Sequence, residues 1–246
     1  MARSYLKFLG CGDAFASGGR FHTCLYLDGA EQPLLIDCGA SGLVSLKRGD
    51  VDLARIEHVA LSHLHGDHFA GLPFVILDAQ FSGRTNPLVI AGPEGTRSRL
   101  EQTFEVLYPG MSTAERSFEL RYVQLDHATP CRLGAAEVTP FEVDHPSGAP
   151  AYALRIEYDG KLIAFSGDTG WTDNLLAAAA GADLFVCECT HFRNQESNHV
   201  DYLTLLEQQE RLDCKRIVIT HMSDEMLARL DELEIEPAAD GAVIAL

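Results

Sequence analysis

No apolar run in this 246-residue chain reaches the ~18–20 residues needed to span a bilayer. The opening segment, Met1-Ala2-Arg3-Ser4-Tyr5-Leu6-Lys7-Phe8, has no apolar core of signal-peptide length ahead of the first expected strand. The expectation is a cytoplasmic protein with no membrane partner. Basic residues are scarce too. Lys and Arg total 19 against 36 Asp and Glu, the net charge is −17, and no basic run exceeds two residues. Proteins that grip long nucleic acid through its phosphates carry a basic excess, at least locally. Bulk electrostatics therefore oppose a long nucleic-acid partner. A small anionic substrate is still allowed, because bound divalent ions invert the local field. The seven cysteines cannot all pair and form no disulfide framework, which agrees with a reducing compartment. The glycines between Gly10 and Gly19 precede no Gly-Lys-Ser/Thr, so they are not a phosphate-cradling loop. They are expected to let the backbone pass close to a site. No short-period repeat or low-complexity tract is present.

Hydrophobic residues make up 46% and charged residues 22%, an ordinary globular balance, and the length fits one domain or two tight halves. Strands are expected over Tyr5 to Leu9, Thr23 to Leu27, Pro33 to Ile36 and Val59 to Leu61. Helices are expected near Gly42 to Lys47, over Leu72 to Phe81, and from Gly95 to about Tyr108. The strand Leu88 to Ala91 lies between the last two. Strands then dominate: Glu119 to Leu125, Ala136 to Val143, Ala151 to Tyr158 and Lys161 to Phe165. Asp159-Gly160 is a hairpin signal between the last pair. After that, helices over Asp173 to Ala180, Val200 to Arg211 and Asp224 to Leu233 alternate with strands over Asp183 to Cys189, Arg216 to Thr220 and Ala242 to Leu246. This order predicts mixed sheets with helices on their outer faces.

One run stands out, Ser62-His63-Leu64-His65-Gly66-Asp67-His68. It supplies four candidate metal ligands within six residues, directly after an apolar strand. In extended chain His63 and His65 face the same way and can close on one ion. Gly66 is expected to turn the chain so that Asp67 and His68 face a second position. Imidazole and carboxylate together suit zinc first, with iron and manganese as alternatives. Three further apolar strands run into candidate ligands, at Asp144-His145, at Ser166-Gly167-Asp168-Thr169 and at His221. A lone histidine after a strand is usually structural. With the cluster, these make seven ligands, enough for two ions.

His63-x-His65-x-Asp67-His68 followed by His145, Asp168 and His221 resembles the full metal-binding set of the metallo-β-lactamase superfamily. The resemblance covers nearly the whole chain. It implies an α/β fold, a four-layer αββα sandwich with mixed sheets, as a single hydrolase domain over 1–246. It also implies two divalent ions at one edge: His63, His65 and His145 on the first, Asp67, His68 and His221 on the second, and Asp168 bridging. Phe8-Leu9-Gly10-Cys11-Gly12, Thr220-His221-Met222-Ser223 and Asp240-Gly241 are similar to the ribonuclease Z-like phosphodiesterase branch. In that branch a Glu and a His assist proton transfer. Here Glu188 and His199 fall at those places, within Cys187-Glu188-Cys189-Thr190 and Asn198-His199-Val200-Asp201, although the flanking residues differ. Cys187 and Cys189, two apart in an apolar strand, are expected to be core packing.

Ribonuclease Z holds tRNA with a long arm between the equivalents of His145 and Asp168. Only 22 residues separate them here, enough for one hairpin. The expected activity is metal-assisted hydrolysis with a hydroxide bridging two ions. Asp67, Glu188 and His199 are the expected catalytic residues, and the substrate is a small or short nucleotide-like phosphodiester. A carbon-centred hydrolase, acting on a lactone, thioester or β-lactam, is the alternative. A metal-binding sensor without turnover is the alternative of another class. A homodimer is allowed. His22 and His191 are candidates to line the pocket. Asp13 and Thr169 are candidates to support ligand histidines.

Overall fold

Leu25 and Leu27 share one face of their strand, Cys24 and Tyr26 share the other, and all four are buried. A strand buried on both faces needs a layer packed against each side. That requirement recurs along the chain and sets the architecture. The computed structural model describes residues 4–193 and 198–246, so residues 1–3 of the opening segment lie outside the described residues.

The first half contributes β1 (Tyr5–Gly10), β2 (Cys24–Asp28), β3 (Leu34–Ile36), α1 (Gly42–Arg48), β4 (His58–Ala60), α2 (Gly66–Phe69), α3 (Leu72–Phe81), β5 (Leu88–Gly92), α4 (Thr96–Leu107) and β6 (Leu120–Gln124). The second half contributes β7 (Cys131–Leu133), β8 (Ala136–Val143), β9 (Ala151–Tyr158), β10 (Lys161–Phe165), α5 (Asn174–Ala179), β11 (Leu184–Glu188), α6 (Tyr202–Gln208), β12 (Ile217–Thr220), α7 (Asp224–Leu227), β13 (Glu236–Pro237) and β14 (Val243–Ala245). The strands form two seven-stranded sheets, β14-β1-β2-β3-β4-β5-β6 and β13-β12-β11-β10-β9-β8-β7. In the first, β3 to β6 run parallel. In the second, β10 to β13 run parallel and β7 to β10 antiparallel.

The layers follow from who packs with whom. Phe8, Leu25 and Leu27 of the first sheet meet Val138, Leu154 and Phe165 of the second. Leu46, Ile76 and Leu100 of α1, α3 and α4 cover the first sheet's other face at Leu35 and Val59. Leu175, Leu205 and Met226 of α5, α6 and α7 cover the second at Phe185 and Ile219. The result is the expected αββα sandwich. Each fully buried Leu or Phe contributes about 1.5–3 kcal/mol, so the three apolar seams dominate the folding energy.

Several elements end or begin differently from expectation. Asp201 caps α6, its carboxylate accepting from the Thr204 amide at 3.0 Å, so the helix starts at Tyr202 rather than Val200. α7 is one turn only, because Arg229 (φ −117°, ψ 18°) leaves helical geometry and a 3-10 turn follows at Leu230–Glu232. The edge strands β7 and β13, three and two residues long, are too short for a periodic pattern to reveal. The turn expected at Gly66 takes the form of a single helical turn, with a bend at His65 leading into it, and it carries Asp67 and His68 to a second group of ligand atoms. Gly66 is the first residue of α2, with His65 in extended geometry just before it.

The parallel strands β3 and β4 and the parallel strands β10 to β12 carry their C-terminal ends to one edge, where the sheets are stitched together. The Tyr152 amide donates to the Ser62 carbonyl at 3.0 Å, and the His221 amide donates to the Cys11 carbonyl at 3.1 Å. Asp37 and His221 both sit in the left-handed region, at φ 56° and 60°. That conformation costs an L-residue about 1–2 kcal/mol, and here it ends β3 and β12 just where their side chains are used.

Candidate metal centre

The loop after β4 is extended through His63 to His65, and α2 then presents Asp67 and His68. Gly39 backs this helix closely: a Cβ there would lie 2.1 Å from the Asp67 carbonyl oxygen, so only glycine fits. The Cys38 amide donates to the His68 carbonyl at 2.6 Å, and the Gly71 amide donates to the Cys38 carbonyl at 2.9 Å. The second sheet adds His145 after β8, Asp168 after β10 and His221 after β12.

These seven residues converge. The ligand atoms of His63, His65 and His145 lie within 4.8 Å of one another, as do those of Asp67, His68, Asp168 and His221. Asp168 reaches both groups. Its Oδ2 is 3.8 Å from His63 Nε2, 3.9 Å from His145 Nε2 and 3.2 Å from His221 Nε2. Asp67 Oδ2 is 3.1 Å from His221 Nε2 and 3.3 Å from His68 Nε2. His63, Asp67, His68, His145, Asp168 and His221 are all buried.

Each ring is oriented from behind. His68 Nδ1 donates to Asp37 Oδ2 at 2.7 Å. His63 Nδ1 lies 3.1 Å from Ser62 Oγ, whose hydroxyl donates to Asp37 at 2.6 Å. His145 Nδ1 donates to the Asn198 carbonyl at 3.1 Å. His221 Nδ1 lies 3.1 Å from Thr190 Oγ1, whose hydroxyl donates to Glu188 at 3.0 Å. Four of the five rings are thereby held at Nδ1 and present Nε2 to the cluster.

The donor set fits divalent cations. His63 Nε2, His68 Nε2 and Asp168 Oδ1 are buried without a hydrogen-bond partner. His68 Nε2 and Asp168 Oδ1 are close, at 3.2 Å, but not aligned for a hydrogen bond. Leaving a buried polar atom unpaired costs about 1–3 kcal/mol, so three such atoms in one cluster of ligating groups point to a cation. The charges agree. Burial opposes charge on Asp67 and Asp168, yet the neighbouring histidines outweigh it and hold both below the usual carboxylate range. Burial likewise opposes a proton on His221, but Asp168, Asp67 and Glu188 prevail and raise its pKa to about 9. His68 is raised in the same way by Asp168 and Asp67. Burial, reinforced by His68, pushes His63 down, and burial with His145 pushes His65 down. The carboxylates thus demand positive charge at the centre, from protons or from metal.

A second constellation adjoins the first. Glu188, buried at the end of β11, accepts from the Thr169 amide at 2.7 Å and from His199 Nδ1 at 2.9 Å. Burial disfavours a charged His199, but the hydrogen bond and charge of Glu188 outweigh it and raise the His199 pKa. The His199 ring stacks on His221 with centroids 5.8 Å apart and 16° between planes. His199 and five of the seven candidate ligands line a cleft of ≈ 660 Å³, within the range of small-molecule sites.

The remaining expectations divide. His191 lines this cleft, whereas His22 bonds Ser41 Oγ at 3.1 Å instead. Asp13 and Thr169 do not support ligand histidines. Asp13 accepts from the Phe15 and Ser17 amides, and Thr169 bonds the Asp144 amide and Glu188. Asp37, Ser62 and Thr190 take that role. Asp37 had a readable signal, an acid directly after the strand Leu34 to Ile36, the same setting as the ligands. Cys187 and Cys189 are fully buried in the outer seam of the second sheet, as core residues.

Two facing mixed sheets with this cluster at one edge define a hydrolase of metallo-β-lactamase fold, in the ribonuclease Z-like branch. Similar folds are the metallo-β-lactamase fold protein YhfI from Bacillus subtilis and the short form of human tRNase Z. The first has a TM-score of 0.80 at 20% identity over 99% of each chain, the second 0.79 at 24% over 98% of each. A ribonuclease Z from Halalkalibacterium halodurans is 26% identical over 262 residues, covering 86% of this chain and 85% of that one. Residues 4–235 match the family model of the anti-Pycsar protein Apyc1, and the chain belongs to that family. Among the described residues no helix is long and apolar enough to cross a membrane.

Proposed function

We propose that the chain is a metal-dependent phosphodiesterase acting on a small or short nucleotide-like substrate, cyclic or linear. The observation that carries this reading is the His199–Glu188 pair, 2.9 Å apart, set against the ligand cluster. His63, His65 and His145 would hold one divalent ion, and Asp67, His68 and His221 a second, with Asp168 shared. Zinc is the first expectation, manganese or iron the alternatives. When bound, such ions supply Lewis acidity and make water acidic near neutral pH.

The chain's own groups do the rest. Asp67 and Asp168 accept hydrogen bonds from the attacking water and fix its direction. His199, charged through its contact with Glu188, gives a proton from Nε2 to the departing oxygen. Glu188 keeps Nδ1 of that ring occupied and stabilises the cation beforehand. Ser62, Asp37 and Thr190 hold the ligand rings still, so little reorganisation accompanies reaction.

A second reading has support of its own, because the relative from Halalkalibacterium halodurans is named ribonuclease Z. Two features favour the small substrate over long RNA. Among the described residues lining the cleft there is no Lys or Arg. Only the β9–β10 hairpin lies between His145 and Asp168.

A substrate panel with added metal separates the readings. It comprises bis-p-nitrophenyl phosphate, a cyclic nucleotide, a tRNA precursor, nitrocefin and a simple thioester. Hydrolysis of the phosphodiester and the cyclic nucleotide, abolished by chelator, is the expected result. Cleavage confined to the tRNA precursor would establish the ribonuclease reading. Cleavage confined to nitrocefin or the thioester would establish the carbon-centred one.

A further inference from the structure

The Gly-rich loop after β1 carries a phenylalanine that packing does not explain. Phe15 is 90% exposed, the most exposed of the large apolar side chains among the described residues. It lines the same cleft as His65, His199 and His221. Single exposed apolar residues are ordinary, but the backbone around this one is firmly held. Buried Asp13 accepts from the Phe15 amide at 3.2 Å, from the Ser17 amide at 2.8 Å and from Ser17 Oγ at 2.7 Å. Ala16 takes the left-handed conformation, at φ 56°. The Gly18 amide donates to Asp224 Oδ1 at 2.9 Å, tying the loop to α7, whose strand-side neighbour is His221. The loop is therefore braced from both sides while its aromatic ring stays in water at the cleft mouth.

We propose that Phe15 is a specificity-determining residue, the surface on which the planar ring of the substrate's nucleobase stacks. This rests on the phosphodiesterase reading. The seven-residue cluster can fix the phosphate end of a nucleotide but offers nothing to its base. No Lys or Arg lines the described cleft to select by charge. An aromatic face grips any base through its π-surface, and a braced backbone gives that grip little ordering cost. Stacking on such a side chain gives about 5- to 150-fold in affinity per base.

The test compares Phe15→Ala, Phe15→Leu and Phe15→Tyr with the parent, metal added. The substrates are cyclic AMP and the base-free cyclic phosphate of methyl riboside. For cyclic AMP, KM should rise about tenfold in Phe15→Ala, rise nearly as far in Phe15→Leu, and stay at the parental value in Phe15→Tyr. kcat should hold within about twofold, and the base-free substrate should be unaffected in all three. An unchanged KM, or an equal rise on both substrates, would overturn the proposal. A binding readout separates it from the reading beneath it. Fluorescence of Phe15→Trp, compared with the parent containing only Trp171, should be quenched by AMP and not by ribose 5-phosphate. Quenching in a protein that hydrolyses no diester would remove the phosphodiesterase reading and leave the ring assignment standing. Diester hydrolysis without quenching would do the reverse.

Discussion

Each sheet supports the centre with one buried carboxylate at a strand end, and the two carboxylates are wired alike. Asp37 after β3 accepts from Ser62, which faces His63, and directly from His68. Glu188 at the end of β11 accepts from Thr190, which faces His221, and directly from His199. In both, a hydroxyl relays the acid to one ligand histidine while a second histidine takes the acid itself. The difference lies in that second histidine. His68 sits 3.2–3.3 Å from Asp168 and Asp67, inside the ligand set, whereas His199 stands beside the set and lines the open cleft. On the proposed reading, the first arrangement makes His68 a better ligand and the second makes His199 a charged acid. On that reading, similar wiring would serve metal affinity on one side and proton transfer on the other.

That contrast can be broken in several ways. The harshest is removal of a group both halves need. Asp67→Ala should abolish turnover while the protein stays folded. Parental activity with an unchanged melting curve would remove Asp67 from the mechanism.

His199→Ala is the next in size. General-acid assistance is worth roughly 10²–10⁴ in rate, so hydrolysis of an alkyl-leaving diester should fall by about that much. A p-nitrophenyl ester, whose leaving group departs without a proton, should change far less. Metal content should not move. Equal losses on both esters would make His199 a structural residue.

Sequence reading reached these two halves unequally, and the reason is physical. His63 to His68 are neighbours in the chain, so their spacing alone announces a site. His145, Asp168, Glu188, His199 and His221 are neighbours only after β8, β10, β11 and β12 align. Strand-end position and resemblance to a known family were needed to group them. The support layer was harder still. Asp13 and Thr169 were the residues expected there and Asp37 was not, because an acid or hydroxyl near the site is common and only tertiary packing decides which one meets a ring. The strands buried on both faces were legible as apolar runs. α7 was not, since its boundary depends on where Arg229 leaves helical geometry.

Smaller effects should tell the carboxylates apart. Asp37→Asn should weaken metal affinity by about 10–100-fold, read by competition with a chelating dye. Glu188→Gln should leave affinity near parental. Its effect should appear in the pH–rate profile: without the Glu188 charge His199 loses its proton more readily, so the alkaline limb moves to lower pH. Equal affinity losses in both variants would erase the distinction drawn between the halves.

The mildest expectation concerns pH. His221 is raised from 6.5 to about 9, so in chelated protein its contribution to stability is whole below about pH 6.5 and is lost as pH rises through 9. Metal binding at neutral pH must release that proton, so apparent affinity should climb with pH up to about 9. Calorimetry in buffers of different ionisation enthalpy reads the release directly. A pH-independent affinity would mean that His221 does not bind metal.

The central claim is that seven side chains from both sheets form one two-ion centre with Asp168 shared between its parts. The most direct measurement is metal content after supplementation and gel filtration, for the parent and for Asp168→Ala. The account predicts two ions per chain in the parent and at least one fewer in the variant, which stays folded. A parent that holds no metal, or a variant that retains two ions, would contradict it.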